Sequence, residues 1–224
     1  MTLAIEVLPD PAAVAARGAA FIAAAARAGV AATGSFAMAV SGGTTPWAMF
    51  AALGALPDVP WDGVGIWQVD ERIAPDGDDE RGLTHLLADL PAAAASRVHA
   101  MPVGGLDPGD QAALEVAAAA YGAGLPPAFD LVHLGLGEDG HTASLVPGDP
   151  ALDVRDLSVA ITGVYRGWRR MTLTYPVLDH ASLALWVVTG AEKARALRKL
   201  RDGDSSMPAS HLIITRLLIR HATL

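Results

Sequence analysis

The sequence predicts an α/β fold with a mainly parallel sheet covered by helices on both faces. Two observations carry this reading. Short apolar runs alternate with helix-like segments along most of the chain, and strands joined through helices pair in parallel. Three polar clusters, at residues 41–46, 70–72 and 135–144, each follow such a run. Open α/β sheets bind ligands there, beyond the carboxyl ends of their strands.

The elements follow in order. Leu3 to Leu8 alternates and reads as a strand. Asp10 caps and Pro11 opens an alanine-rich helix, which Gly29 is expected to stop. Phe36–Val40 is a short strand leading into Ser41-Gly42-Gly43-Thr44-Thr45-Pro46. Thr45 and Pro46 suit a cap and first turn, for a helix reaching about Leu53. Val64–Val69 reads as a strand ending in Asp70-Glu71-Arg72, Gly82–Leu90 as a helix, Val98–Met101 as a short strand and Asp110–Gly122 as a helix. Phe129–Leu134 is a buried-type strand that runs into Gly135–His141. Strands are expected at Leu157–Ile161, Met171–Tyr175 and Leu183–Thr189, a helix at Ala191–Arg201, and a last mixed segment from Pro208. Between residues 142 and 175 strands succeed one another without a helix, which predicts a small second lobe. No repeat or low-complexity linker divides the chain, so residues 1–224 are expected to form a single domain.

Composition narrows the function. With 52% hydrophobic and 18% charged residues, the 224-residue chain has the make-up of a globular protein and enough length to bury a core. A net charge of −8 argues against a broad nucleic-acid surface. It does not exclude a small anion, because a few local cations can focus a positive field in a cleft. Cysteine is absent, which excludes disulfides and thiolate chemistry and fits a cytoplasmic location. The start MTLAIEVLPD lacks the charged and apolar regions of a signal peptide. Apolar stretches such as Ala181–Val188 and Leu212–Ile219 fall short of the roughly 18 residues of a membrane span.

Each cluster supports some chemistry. In Ser41–Pro46, two glycines allow close approach to a ligand, and the free N–H groups of a helix start suit a phosphate. A simple strand-to-helix turn fits those residues equally well, and the Walker A spacing is missing. Arg72 can grip a phosphate through a bidentate fork, with its acidic neighbours orienting it; Asp70-Glu71-Arg72 also reads as a solvated turn. Gly135-Leu136-Gly137-Glu138-Asp139-Gly140 contains a literal GxGxxG. It lacks the dinucleotide-binding context, since Val146-Pro147-Gly148-Asp149-Pro150 breaks any helix that would follow. His141 ends this loop with a side chain able to take a proton from water near neutral pH, or to serve as a structural hydrogen-bonding residue. Arg169, Arg170 and Lys193 are further basic candidates, Lys193 in the first turn of a helix where a cation opposes the dipole. No metal-ligand spacing and no GxSxG elbow occurs, so neither a metal nor a serine nucleophile is expected.

Taken together, SGGTTP at 41–46, WQVDER at 67–72, LGLGEDGHTASLVPG at 134–148, RMTLTYPVL at 170–178, GAEKARAL at 190–197 and MPAS at 207–210 resemble the 6-phosphogluconolactonase family. The resemblance implies a modified Rossmann-like sheet with a small extra β portion, shared with glucosamine-6-phosphate deaminase and ribose-5-phosphate isomerase. The deaminase branch carries Asp-Glu-Tyr and Asn-Glu-Pro where this chain has Asp70-Glu71-Arg72 and Ser144-Leu145-Val146-Pro147-Gly148. By resemblance, His141 is the base that activates water against a phosphorylated sugar lactone and Asp139 places its loop. Arg72, Arg170 and Lys193 hold the phosphate, and Gly42, Gly43 and Thr44 line the pocket. No cofactor is implied, and a monomer or homodimer is expected. The chain departs from the family pattern at Val146, at Gly82 and in the tail from Ile213 to Leu224, which lacks an acidic residue. The alternatives are an amino-sugar-phosphate deaminase or isomerase on this fold, a sugar-phosphate sensor without catalysis and, third, a nucleotide-binding dehydrogenase.

Overall fold

A computed structural model describes residues 3–212 and 216–221. Of the divergent tail, residues 213–215 and 222–224 lie outside the described residues. Seven parallel strands form the main sheet: β1 (Leu3–Leu8), β2 (Phe36–Val40), β3 (Val64–Gln68), β5 (Val98–His99), β6 (Leu131–Leu134), β9 (Ala184–Val188) and β10 (Arg216–His221). Their spatial order is β1-β10-β9-β6-β2-β3-β5. The chain leaves β2 toward β3 on one side, while β6 pairs with β2 on the other. That reversal opens a crevice at the carboxyl ends of β2 and β6, the place where such sheets bind ligands.

Side-chain alternation along each strand feeds two cores. Met38, Val40, Ile66, Leu185 and Val187 pack with helices α1 (Pro11–Thr33) and α2 (Thr44–Gly54). Ala39, Trp67, Val132, Leu134, Trp186 and Val188 face the other way, toward α5 (Gln111–Ala123) and α7 (Ala194–Asp202). Two further helices, α3 (Gly82–Asp89) and α4 (Ala92–Ala95), lie between β3 and β5 in the chain. The short α6 (Tyr175–Asp179) precedes β9.

The expected small lobe is a three-stranded antiparallel sheet, β4 (Asp70–Arg72), β8 (Arg170–Leu173) and β7 (Val159–Ile161), in that order of pairing: β4-β8-β7. Its middle strand sets Arg170 opposite Arg72.

Helix α1 corrects two expectations. Gly29 does not end it; the helix continues to Thr33 and closes on Gly34 in the left-handed conformation, φ 84°. Gly29 stays within because a Cβ there would lie 2.8 Å from the Phe36 ring, so the residue gives clearance to β2. At 23 residues, α1 is also long and apolar enough by composition to cross a membrane, contrary to the short runs seen in the sequence. In the fold it is a core helix: Val14, Ala15, Gly18, Ala19, Ile22, Ala23 and Ala26 are buried, and Arg17 pairs with Glu6 at 2.6 Å. Smaller differences follow the same tertiary logic. The second helix begins at Thr44 with Gly43 as its cap residue, and the strand after Arg97 is only Val98–His99.

Candidate active site

The crevice holds a cavity of about 270 Å³. Six chain segments wall it: the loop after β2, the β3–β4 corner, the start of α3 at Gly82, the loop after β6, the end of β9 with the turn to α7, and the β7–β8 hairpin. Gly42 comes close to the backbone of Gly82, so close that a Cβ on Gly42 would sit 3.4 Å from Gly82 Cα. Helix α2 starts from Gly43 (φ 122°) with no side-chain cap. Its first N–H groups and its dipole are therefore available to an anion in the cavity. Thr45 and Thr189 hydroxyls meet at 2.5 Å and pin α2 to the end of β9 across the crevice.

The loop after β6 is built around a pair. His141 Nδ1 lies 2.6 Å from Asp139 Oδ1, and the His141 backbone N–H donates to the same oxygen at 3.2 Å. Tyr165 donates its hydroxyl to Asp139 Oδ2 at 2.9 Å. Burial opposes ionisation of Asp139, but the bonds and charge from His141 and the bond from Tyr165 outweigh it and hold the carboxyl well below the usual carboxylate range. Burial, followed by the bond to Asp139, pushes the Tyr165 hydroxyl up, so it stays a donor.

Two glycines make this loop possible. A Cβ on Gly137 would fall 2.1 Å from His141 Nδ1 and 2.6 Å from Asp139 Oδ1. Gly140 has φ 86°, and a Cβ there would strike Met207 at 1.9 Å. The MPAS segment at 207–210 braces the loop from behind, with Ala209 N–H donating to Gly140 O at 3.0 Å. Ala143 also has a positive φ, 50°, an arrangement that costs a non-glycine residue on the order of 1 kcal/mol. It turns the chain so that Ser144 points back to Asp70, Oγ to Oδ2 2.5 Å.

Cations fill the facing wall. Arg170 is buried, with Nη1 3.4 Å from Ser144 Oγ and no partner for Nε among the described residues. Burial, with repulsion from Arg72 and Arg166, pulls its guanidinium below the ordinary arginine value, against the attraction of Asp70 and Tyr165. An anion in the cavity would relieve both the unpaired donor and the repulsion. The expected bracing of Arg72 by Asp70 and Glu71 side chains is corrected. Its guanidinium pairs with Glu80 Oε2 at 3.2 Å and bonds the Glu80 carbonyl. Glu71 is buried and turned inward, accepting from Gly82 N at 2.9 Å and Leu83 N at 2.8 Å and pairing with buried Arg81 at 3.5 Å. It thereby caps α3 and holds the cavity wall at Gly82.

Of the residues expected from sequence, Gly42, Gly43, Thr44, Arg72, His141, Arg170 and Lys193 all line this one cavity. Asp139 stands behind His141 and does not line it. Val146, the departure beside the loop, is buried in the core. The GxGxxG is followed by turns and no helix, so the dinucleotide-binding arrangement is absent there. Sequence reasoning missed Tyr165 and Arg166, which reach the site from the hairpin and carry no motif. The one available signal was the run Tyr165-Arg166-Gly167 between two strands, a hairpin-turn pattern with a charged residue at its tip. Among the described residues no group of three or more His, Asp or Glu side chains is placed to hold a metal ion.

Residues 9–218 match the family described as glucosamine-6-phosphate isomerases/6-phosphogluconolactonase. A 6-phosphogluconolactonase from Nostoc is 37% identical over 210 residues, covering 89% of this chain and 85% of that protein. One from Synechocystis is 38% identical over 181 residues, with coverage of 76% and 73%. A crystal structure of a 6-phosphogluconolactonase from Shewanella baltica superposes with a TM-score of 0.86 at 24% identity, over 99% of this chain and 98% of that one, and shows the shared fold.

Proposed function

This chain belongs to the glucosamine-6-phosphate isomerase/6-phosphogluconolactonase family, and we propose that within it the protein hydrolyses 6-phospho-D-glucono-1,5-lactone to 6-phospho-D-gluconate, the lactone-opening step of the oxidative pentose phosphate pathway. One observation carries the reading: an imidazole oriented by a carboxylate shares one small cavity with a cluster of cations, Arg72, Arg166, Arg170 and Lys193. The first suits attack on a carbonyl, the second a phosphate held away from the reacting carbon.

The chemistry follows from that layout. Ionised Asp139 keeps the imidazole proton on Nδ1, so Nε2 carries the lone pair. Nε2 takes a proton from water as its oxygen attacks C1 of the lactone. The carbonyl oxygen becomes an oxyanion, for which backbone N–H groups of the glycine-rich walls are the donors. The intermediate collapses by breaking the bond from C1 to the ring oxygen, which takes the proton back from the imidazolium. The carboxylic acid formed then ionises. Arg170, Arg72, Lys193 and the start of α2 bind the phosphate, and their binding energy serves to hold C1 in place.

The test is direct. The lactone is generated in situ and acid release is followed above the spontaneous rate, with His141→Ala alongside. Wild type should accelerate hydrolysis, and the variant should lose roughly 10²–10⁴-fold in kcat, the range for a general base. No acceleration by folded wild type, with ammonia released from glucosamine 6-phosphate instead, would move the protein to the deaminase branch of its family.

A further inference from the structure

We propose that the tip of the β7–β8 hairpin, Tyr165-Arg166, is a working part of this site: Tyr165 is a positioning residue for the Asp139–His141 pair, and Arg166 is an additional ligand of the substrate phosphate. This rests on the lactone-hydrolase reading of the cavity and extends it to two residues outside the family motifs quoted above.

The geometry starts from the turn. Tyr165 and Trp168 bridge across two residues, with Tyr165 N–H donating to Trp168 O at 2.9 Å and Trp168 N–H to Tyr165 O at 3.2 Å. Arg166 has φ 50° and Gly167 φ 85°, which is the primed hairpin turn. Its first central position favours Asn, Asp or Gly, because side chains with a bulky Cβ region are strained there. An arginine is a poor choice for the turn itself. Such an outlier at a cavity wall points to a role for the side chain. Arg166 does line the cavity.

The turn hands its two side chains to the two ends of the site. The Tyr165 ring stands edge-on to the His141 ring, with centroids 5.4 Å apart, and its hydroxyl occupies the Asp139 oxygen that His141 does not use. Asp139 is thus held from both sides, and its remaining freedom to rotate away from the imidazole is removed. The guanidinium carbons of Arg166 and Arg170 lie 5.4 and 5.2 Å from the centre of the same ring. The Tyr165 ring thus touches both the base and the two cations. A phosphate drawn to Arg170 is therefore within the field of Arg166 as well. Arg166 is exposed and no salt-bridge partner is seen for it among the described residues, so its charge is available.

Two substitutions separate this from a purely structural hairpin. Tyr165→Phe keeps the ring that touches the imidazole and the guanidiniums and removes only the hydroxyl. It should lower kcat about tenfold or more, the effect of losing a bond to an ionised group, with KM within about twofold. Long-range ¹H–¹⁵N spectra of His141, which need no substrate, should show one Nδ1-protonated tautomer in wild type and a mixture in Tyr165→Phe. Arg166→Asn suits the turn better, so it should unfold at a higher temperature, yet it should raise KM about tenfold and weaken binding of inorganic phosphate by a similar factor. An Arg166 with no part in binding predicts the same gain in stability but KM and phosphate affinity untouched. Wild-type tautomer and wild-type kcat in Tyr165→Phe overturn the positioning role, and unchanged phosphate affinity in Arg166→Asn overturns the ligand role. If wild type itself fails to open the lactone, the function reading fails, while the tautomer and phosphate measurements still decide the inference.

Discussion

His141 Nδ1 and Asp139 Oδ1 stand 2.6 Å apart, two residues from each other in a loop too tight for any side chain at Gly137. A carboxylate on Nδ1 does two things to an imidazole. It selects the tautomer with Nε2 unprotonated, and it stabilises the imidazolium that forms when Nε2 takes a proton. Both matter only if the pair keeps its geometry, and the first predictions probe that.

Asp139→Asn retains the shape of the side chain but removes the charge. Its amide can donate to Nδ1 and leave the proton on Nε2, the wrong nitrogen for a base. We expect kcat to fall by roughly 10²–10⁴-fold with little change in KM. Steady-state kinetics check this, and a kcat within about threefold of wild type would remove Asp139 from the mechanism.

Gly137→Ala introduces a Cβ 2.1 Å from His141 Nδ1, so the ring must shift. A displacement of about 1 Å at a reacting group costs on the order of 10²-fold in rate. The expected outcome is a folded variant with kcat reduced by about that factor. Circular dichroism establishes the fold, and turnover decides whether the close approach is functional.

Arg170→Lys keeps the charge and loses the planar fork. The buried Nε, which has no partner among the described residues, is lost with it. KM should rise roughly ten- to a hundredfold, and the KM of wild type should climb with added salt as the cation cluster is screened. A KM for Arg170→Lys equal to that of wild type at two salt concentrations would place the phosphate elsewhere.

His133 supplies a prediction about stability. It lies on β6 with no exposed surface, its ring edge-on to Phe50 at 5.6 Å, and burial pushes it down to about 3. In the unfolded chain this histidine protonates near 6.5, so below that pH the unfolded state binds a proton that the folded state refuses. Stability is then full above about pH 6.5 and falls as pH drops toward the folded value, at about 1 kcal/mol per pH unit. His133→Leu should flatten that part of the curve. Urea unfolding of both proteins at pH 7 and pH 5 measures it; parallel pH dependences in the two would show that His133 is not the group responsible.

Much of the site was legible because its residues are neighbours in sequence. Ser41–Thr45, Asp70–Arg72 and Gly135–His141 follow strands, and the end of a parallel strand is where a sheet presents its ligand. The extent of α1 was less legible. Gly29 carries a local stop signal, but the helix runs on through Val30, which still packs on the core, and closes on left-handed Gly34.

The sequence by itself determined the alternation of strands and helices, the glycine loop that seats Asp139 beside His141, and the polar clusters that follow the strands. These depend on local periodicity and on residues a few positions apart. Only the tertiary structure decided how those residues are oriented and supported. It turned Glu71 inward to Arg81 and gave Arg72 to Glu80. It braced Gly140 against Met207 and delivered Tyr165 and Arg166 from a second sheet. Those contacts join segments far apart in the chain, and their free energy exists only once the two sheets have packed, so no local pattern records them.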